Sequence, residues 1–340
     1  MPARKKIHAV LTLILASATF AGCTAPGGDA KAVGSGKPLN IAFLAASSQN
    51  AYNKSIYDGA VKKAESLGNV TVKEFDGSFD PNIQLSQLEN LQSGQFDGVI
   101  VVPNDGVSLA SAFPLASGIP VVTITNPIGP DILKMENQVD GVLSTIGKSM
   151  EDIGRVQAEG LVEHCKNINP CNVAIMVGYL SAPLDVAVAK SYNDVLAKHS
   201  NIHVVSTTEG GYERNKAMNS MANVLQANPG INGVLSIADQ QTSGIEVALS
   251  AAGIDPSSVY LTGTGGTADA VNGIRSGKWK STYAAFTVQR GEAAVDLLYK
   301  HHNGEEVPAS IDADTLGPVP AWITSEVLKA NPQFESDWNG

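Results

Sequence analysis

The chain has 340 residues, of which 43% are hydrophobic and 16% charged, and it carries a formal net charge of −10. An acidic chain of ordinary globular composition lacks the basic patches that nucleic acid or an anionic lipid surface requires, so neither is expected as a charge-recognised partner. About 300 residues beyond the N-terminal stretch exceed what one core usually takes up, which predicts two lobes.

Arg4, Lys5 and Lys6 precede an apolar run from Ile7 to Phe20, and Ala21, Gly22 and Cys23 follow it. A basic start, a short apolar run and small residues at its end read as a secretory signal segment over 1–22, too short and wrongly flanked for a membrane span. Its loss would remove three cations and take the formal charge from −10 to −13. The close on Cys23 resembles a bacterial lipobox, which implies that Cys23 becomes the lipidated first residue of the mature protein and ties it to the cell membrane from outside. Ordinary signal cleavage beside a chance cysteine is the other reading. Residues 23–38 are rich in Ala, Gly and Pro and form the expected flexible tether. In an exported chain Cys165 and Cys171 read as a local disulfide; a zinc site with His164 and a pair of reduced thiols are the alternatives. No cofactor and no metal is expected.

From residue 39 onward the pattern is apolar run, turn and amphipathic helix, repeated, which predicts an α/β architecture of two doubly wound parallel sheets. Strands are expected at Asn40–Ala45, Val70–Phe75, Val99–Val102 and Val121–Thr125. Between them, Tyr52–Leu67 has helical spacing and stops at Gly68, a second helix opens at Asp80-Pro81 and closes near Gly94, and a short one covers Val107–Ala116. The grammar then restarts. Helices are expected from Asp152 to Glu163, around Ala187–Lys198, at Asn215–Gln226, at Thr242–Ala252 and at Gly291–Tyr299. The strands among them fall at Val173–Val177, Val204–Ser206, Gly233–Ile237, Val259–Gly263 and Ser281–Phe286.

Several segments in this order and spacing resemble the periplasmic ribose-binding family, the sugar-binding components of ABC importers. They are Ile41–Gly68 with its Asn50-Ala51-Tyr52-Asn53 turn, the run Gly94-Gln-Phe-Asp-Gly-Val-Ile-Val-Val-Pro103, Gly118-Ile119-Pro120-Val-Val-Thr123, and Gly233–Gly253. The resemblance spans most of Leu39–Val307. It implies a periplasmic-binding-protein type I fold with three crossings between lobes: 39–147 plus 285–312 as the first lobe, 148–284 plus 313–325 as the second, and 326–340 as a surface tail. Hinges are then expected near Ile146–Ser149, Ala284–Phe286 and Asp312–Leu316, with Trp322 packing across the lobes.

Carried over residue by residue, the resemblance places ligand contacts at Asn50, Tyr52 and Asn53 with Ser48 beside them. Further contacts fall at Asn104 and Asp105 on the third strand tip, at Thr125 and Asn126 on the fourth, and at Asp185, Tyr212, Asp239 and Gly265 in the second lobe. Sugars present C–H faces to rings and hydroxyl edges to amides and carboxylates, so these residue types suit them. Several have an ordinary structural alternative: Asn50 as a helix cap, Asn104-Asp105 as a capping turn, Gly265-Gly266 as a tight turn. Thr125 and Asn126 stand where the ribose binder has Asp and Arg, and Gly265 where the family has Asp. A site without those anchors is not expected to hold ribose in that manner.

No nucleophile elbow, His-Glu-x-x-His helix or P-loop occurs, so the chain is not expected to be an enzyme. Repressors with the same two-lobed core carry a basic helix-turn-helix where this chain has a signal segment. The expectation is a monomeric substrate-binding lipoprotein that takes a small sugar or polyol and docks on an ABC permease. A same-fold receptor for a less polar molecule, or a chemosensory or quorum-signal receptor, is the alternative.

Overall fold

The computed structural model describes residues 36–340. The signal segment, Cys23 and nearly all of the tether lie outside the described residues. Leu39–Ala45 (β1) is apolar at every position but Asn40 and is buried on both faces, which only an interior strand covered by helices allows. It pairs in parallel with Val70–Asp76 (β2) on one side and Gly98–Val101 (β3) on the other. Ala51–Leu67 (α1), Pro81–Glu89 (α2) and the single turn Gly106–Leu109 (α3) connect these strands and lead on to Val121–Thr125 (β4) and Val142–Gly147 (β5).

The second lobe follows in the same grammar. Its first half runs Met150–Cys165 (α4), Cys171–Val177 (β6), Pro183–Leu196 (α5), Ile202–Glu209 (β7) and Arg214–Ala227 (α6). Its second half runs Gly233–Ser236 (β8), Asp239–Ala251 (α7), Tyr260–Gly265 (β9), Ala268–Arg275 (α8) and Ser281–Ala284 (β10). Thr287–His302 (α9) packs back on α1, and Ser310–Asp312 (β11) extends the first sheet. Trp322–Thr324 (β12) and Ser325–Ala330 (α10) return to the second lobe. The sheet orders are β11-β5-β4-β3-β1-β2 and β12-β10-β9-β8-β6-β7, and every pairing is parallel except β12 against β10. These are two α/β lobes, and the chain passes between them three times.

The crossings are tied to one another. Lys148, just after β5, pairs with Asp312 at 2.9 Å and Asp314 at 3.1 Å, and Tyr283 of β10 donates to Asp314 at 2.7 Å. The α1–α9 contact is equally specific. A β-carbon at Gly59 would overlap the carbonyl of Val288, and one at Gly291 would overlap that of Ile56, so both positions must be glycine for the helices to approach this closely. Cys165 and Cys171 form a disulfide that joins the end of α4 to the start of β6.

Of the differences from the sequence reading, three concern how the lobes are built and joined. β5 was not expected, because Ser144 and Thr145 break its apolar run; both are buried, and Thr123 donates to Thr145 Oγ1 at 3.0 Å. Trp322 does not cross the lobes but sits with Tyr283 of its own sheet, ring centroids 6.3 Å apart. The last segment is not simply surface: α10 buries Leu328, and beyond it Trp338 is only 8% exposed.

Candidate functional site

In open parallel sheets the crevice lies at the carboxyl ends of the strands, and here the strand tips of both lobes border one cavity of about 460 Å³. Its wall is mainly apolar with a few polar groups, the usual make-up of a small-molecule site. The turn after β1 supplies the first of these. Asn50 Oδ1 caps α1 by accepting from the backbone N–H groups of Tyr52 (3.0 Å) and Asn53 (3.3 Å), while its Nδ2 reaches across the cleft to the Tyr212 carbonyl at 3.4 Å. Asn50 therefore caps the helix and lines the cavity at once. Asn53 lines the cavity but uses Oδ1 to accept from the Ala46 N–H at 3.0 Å.

Asn104, Asp105 and Asn126 also line the wall, each holding a strand tip in place. Asn104 Nδ2 donates to the Ala46 carbonyl at 3.2 Å, Asn126 Nδ2 donates to that of Pro103 at 3.1 Å, and Asp105 caps α3 through Val107 and Ser108. Thr125 is held in the left-handed region at φ +75°, a conformation that costs a β-branched residue on the order of 1–3 kcal/mol. Phe79 (φ +53°) and Tyr212 (φ +57°) share that conformation and the same cavity wall. Backbone strain is thus gathered where side chains must be aimed inward.

Across the opening Phe79 of the first lobe meets Tyr179 and Tyr212 of the second. All three centroid separations are 5.9 Å, and Phe79 and Tyr212 are nearly stacked, 23° apart in plane. Asp185, 1% exposed, accepts from the Gly178 N–H at 2.7 Å, the Tyr179 N–H at 3.1 Å and the Tyr212 hydroxyl at 3.0 Å. Burial pushes its carboxyl up to about 6, the hydrogen bonds pulling the other way. Asp185 is therefore the post that fixes both tyrosines.

The structure brings nine of the twelve expected ligand residues to the cavity and leaves three outside. Ser48 is turned away, its N–H donating to Asp76 at 2.9 Å. Asp239 is wholly buried beneath the wall, where it accepts from the Thr267 N–H at 2.9 Å and the Thr282 hydroxyl at 2.8 Å; its neighbour Gln240 faces the cavity instead. Gly265 makes room for Trp338 rather than for a ligand, since the indole N–H donates to its carbonyl at 3.3 Å and a β-carbon there would crowd both Trp338 and Asp239.

Sequence reasoning placed Tyr179 in the strand-end stretch that runs to Asp185 but missed Phe79 and, above all, Arg290. Arg290 is 3% exposed, lines the cavity and donates through Nη1 to the hydroxyls of Tyr52 (3.0 Å) and Thr125 (3.3 Å), which lie 2.7 Å from each other. A signal was present: Arg290, Ala294 and Leu298 form one helical stripe, so a cation stands on the apolar face of α9.

Residues 41–306 match the sequence profile described as "periplasmic binding protein domain". The ribose import binding protein of Salmonella typhimurium is 26% identical over 278 residues, covering 81% of this chain and 88% of that protein. The xylitol-binding protein of Mycolicibacterium smegmatis is 27% identical over 299 residues, covering 86% and 80%. Among solved structures, an ABC transporter solute binding protein from Bacillus halodurans with bound myo-inositol superposes with a TM-score of 0.74 at 22% identity, covering 88% of this chain and 99% of that one.

Proposed function

Because the chain belongs to the periplasmic binding protein domain family, we propose that it is the extracytoplasmic solute-binding component of an ABC importer, holding a small sugar or polyol between its lobes and passing it to the permease. The observation that carries this reading is the composition of the inter-lobe cavity. Phe79, Tyr179 and Tyr212 offer ring faces to C–H surfaces, while Asn50, Asn104, Asn126 and Gln240 offer amides to hydroxyls. The ribose and xylitol binders among the relatives support the same class of ligand.

Binding works by population shift. A solute that touches Phe79 on one lobe and Tyr212 on the other gains its full contact set only when the lobes are together, so it favours that form. The Lys148, Asp312, Asp314 and Tyr283 cluster is the proposed hinge. The chain acts by binding rather than by transforming its solute. Lipidation of Cys23 would hold it at the membrane, where metabolic labelling with palmitate, present in the wild type and absent in Cys23→Ser, provides the test.

The function itself is tested by a thermal-shift screen of the mature protein against pentoses, hexoses, polyols and their acids. A saturable rise in melting temperature with at least one compound is expected. A flat response across the panel would overturn the carbohydrate reading.

A further inference from the structure

The solute-binding reading can be narrowed through Arg290, on which the following inference rests together with that reading. Arg290 stands in the first turn of α9, and the inward residues that follow it, Ala294, Val295, Leu297 and Leu298, are apolar. It is, among the described residues, the one cation in the wall of the cavity. Among the described residues no carboxylate pairs with it; other cations without a pair, such as Lys73, Lys198 and Lys216, are exposed to water, whereas Arg290 is buried. Both of its hydrogen bonds run from Nη1 to neutral hydroxyls, and among the described residues its buried Nε has no partner.

The acids that could neutralise it are otherwise engaged. Asp105 caps α3 and accepts from the Ser108 hydroxyl at 2.6 Å. Asp185 stands in the second lobe and holds two N–H groups and Tyr212. Asp312 and Asp314 at the crossings are taken by Lys148 and Tyr283; Asp312 makes no contact with Arg290, although, against the effect of burial, the Arg290 charge is among the causes, after Lys148, that hold its carboxyl below the ordinary value. A buried guanidinium with no carboxylate in contact is unfavourable, and the imbalance is relieved when an anion enters beside it. Its planar fork matches a carboxylate or a phosphate through two parallel hydrogen bonds, and a carboxylate is the smaller of the two.

We propose that Arg290 anchors an anionic group of the solute, and that the solute is a polyhydroxylated carboxylate, a sugar acid, in place of a neutral sugar. The carboxylate meets Arg290 at the corner formed with Tyr52 and Thr125. The hydroxyls meet the amides of Asn50, Asn104, Asn126 and Gln240, and the carbon skeleton lies against the rings of Phe79, Tyr179 and Tyr212.

Isothermal titration of the mature protein against matched pairs tests this: gluconate with sorbitol, galacturonate with galactose, xylonate with xylitol. At least one acid should bind the wild type about tenfold or more tighter than its neutral partner. Arg290→Gln should abolish that preference and Arg290→Lys should keep part of it. The wild-type comparison alone decides the matter should Arg290→Gln fail to fold. Neutral members binding as tightly as their acids, or an acid preference that survives in Arg290→Gln, would overturn the inference and leave the importer reading standing. Binding by neither set would remove the carbohydrate reading and this inference together.

Discussion

Trp338 meets Tyr52 edge-on, with ring centroids 5.8 Å apart and planes at 77°, so a residue 286 positions further along the chain braces the tyrosine that bonds Thr125 and Arg290. The segment carrying it is fixed to the second lobe. Arg275 donates to the carbonyls of Pro332 and Phe334, and the Ala268 N–H donates to the carbonyl of Trp338 at 2.9 Å. On the other side Gln289 of α9 donates to Asp337 at 2.5 Å. The end of the chain thus spans both lobes behind the cavity.

Trp338→Ala removes a buried ring from this bridge. A loss of about 3 kcal/mol in unfolding free energy is expected from the vacated volume, with weaker solute binding as Tyr52 loses its support. Urea denaturation followed by far-UV circular dichroism provides the measurement, and an unmoved midpoint would mean that the strap contributes nothing.

Asp239 predicts a pH dependence. Burial pushes its carboxyl up from the ordinary 3.8 to about 6, against the hydrogen bonds from Thr267, Thr282 and Gly266. A group that is more basic folded than unfolded gives its full contribution below about pH 4, and that contribution is lost as the pH rises through about 6. Asp239→Asn cannot ionise. Relative to the wild type its stability should therefore improve by up to roughly 3 kcal/mol between about pH 4 and pH 7. Paired urea midpoints at the two pH values give the answer; a difference that stays constant with pH contradicts the prediction.

Gly59→Ala drives a methyl group into the carbonyl of Val288 on α9. Two helices in backbone contact have no flexible side chain to yield, so a loss of about 2 kcal/mol or more is expected. The melting temperature should fall by several degrees, and Gly94→Ala, whose β-carbon would meet open space, separates this steric effect from the general properties of glycine. Gly94 has φ +87°, so its own substitution carries backbone strain but no clash. Equal losses at the two sites would count against close helix packing as the cause.

Phe79→Ala and Tyr212→Ala each remove one side of the ring contact that bridges the lobes. Solute affinity should fall at least about tenfold in each, a change of roughly 1.4 kcal/mol. The double variant should lose less than the sum, because the two rings touch. Titration calorimetry on the four proteins of the cycle supplies the numbers, and strictly additive losses would show that the rings act separately.

How much was legible follows residue by residue. Asn50, Tyr52, Asn104 and Tyr212 could be placed at the cavity because the family resemblance puts ligand positions there, which agrees with the rule that strand ends line the crevice in a doubly wound sheet. Asp239 also follows a strand end, yet its side chain turns beneath the wall to hold Thr267 and Thr282, a matter of side-chain direction that position along the chain does not carry. Gly265 was open to a turn or to a ligand, and its actual neighbour Trp338 lies 73 residues away.

The amino-acid order by itself determined the two lobes, because a strand buried on both faces and a helix with one apolar stripe are each written locally, in the periodicity of a few residues. What only the tertiary structure decided is the charge at the heart of the cavity. Arg290 stands 165 residues from Thr125 and 238 from Tyr52 and meets both only because α9 crosses back onto α1. Local pattern specifies burial; the partner of a buried charge is specified by long-range packing alone.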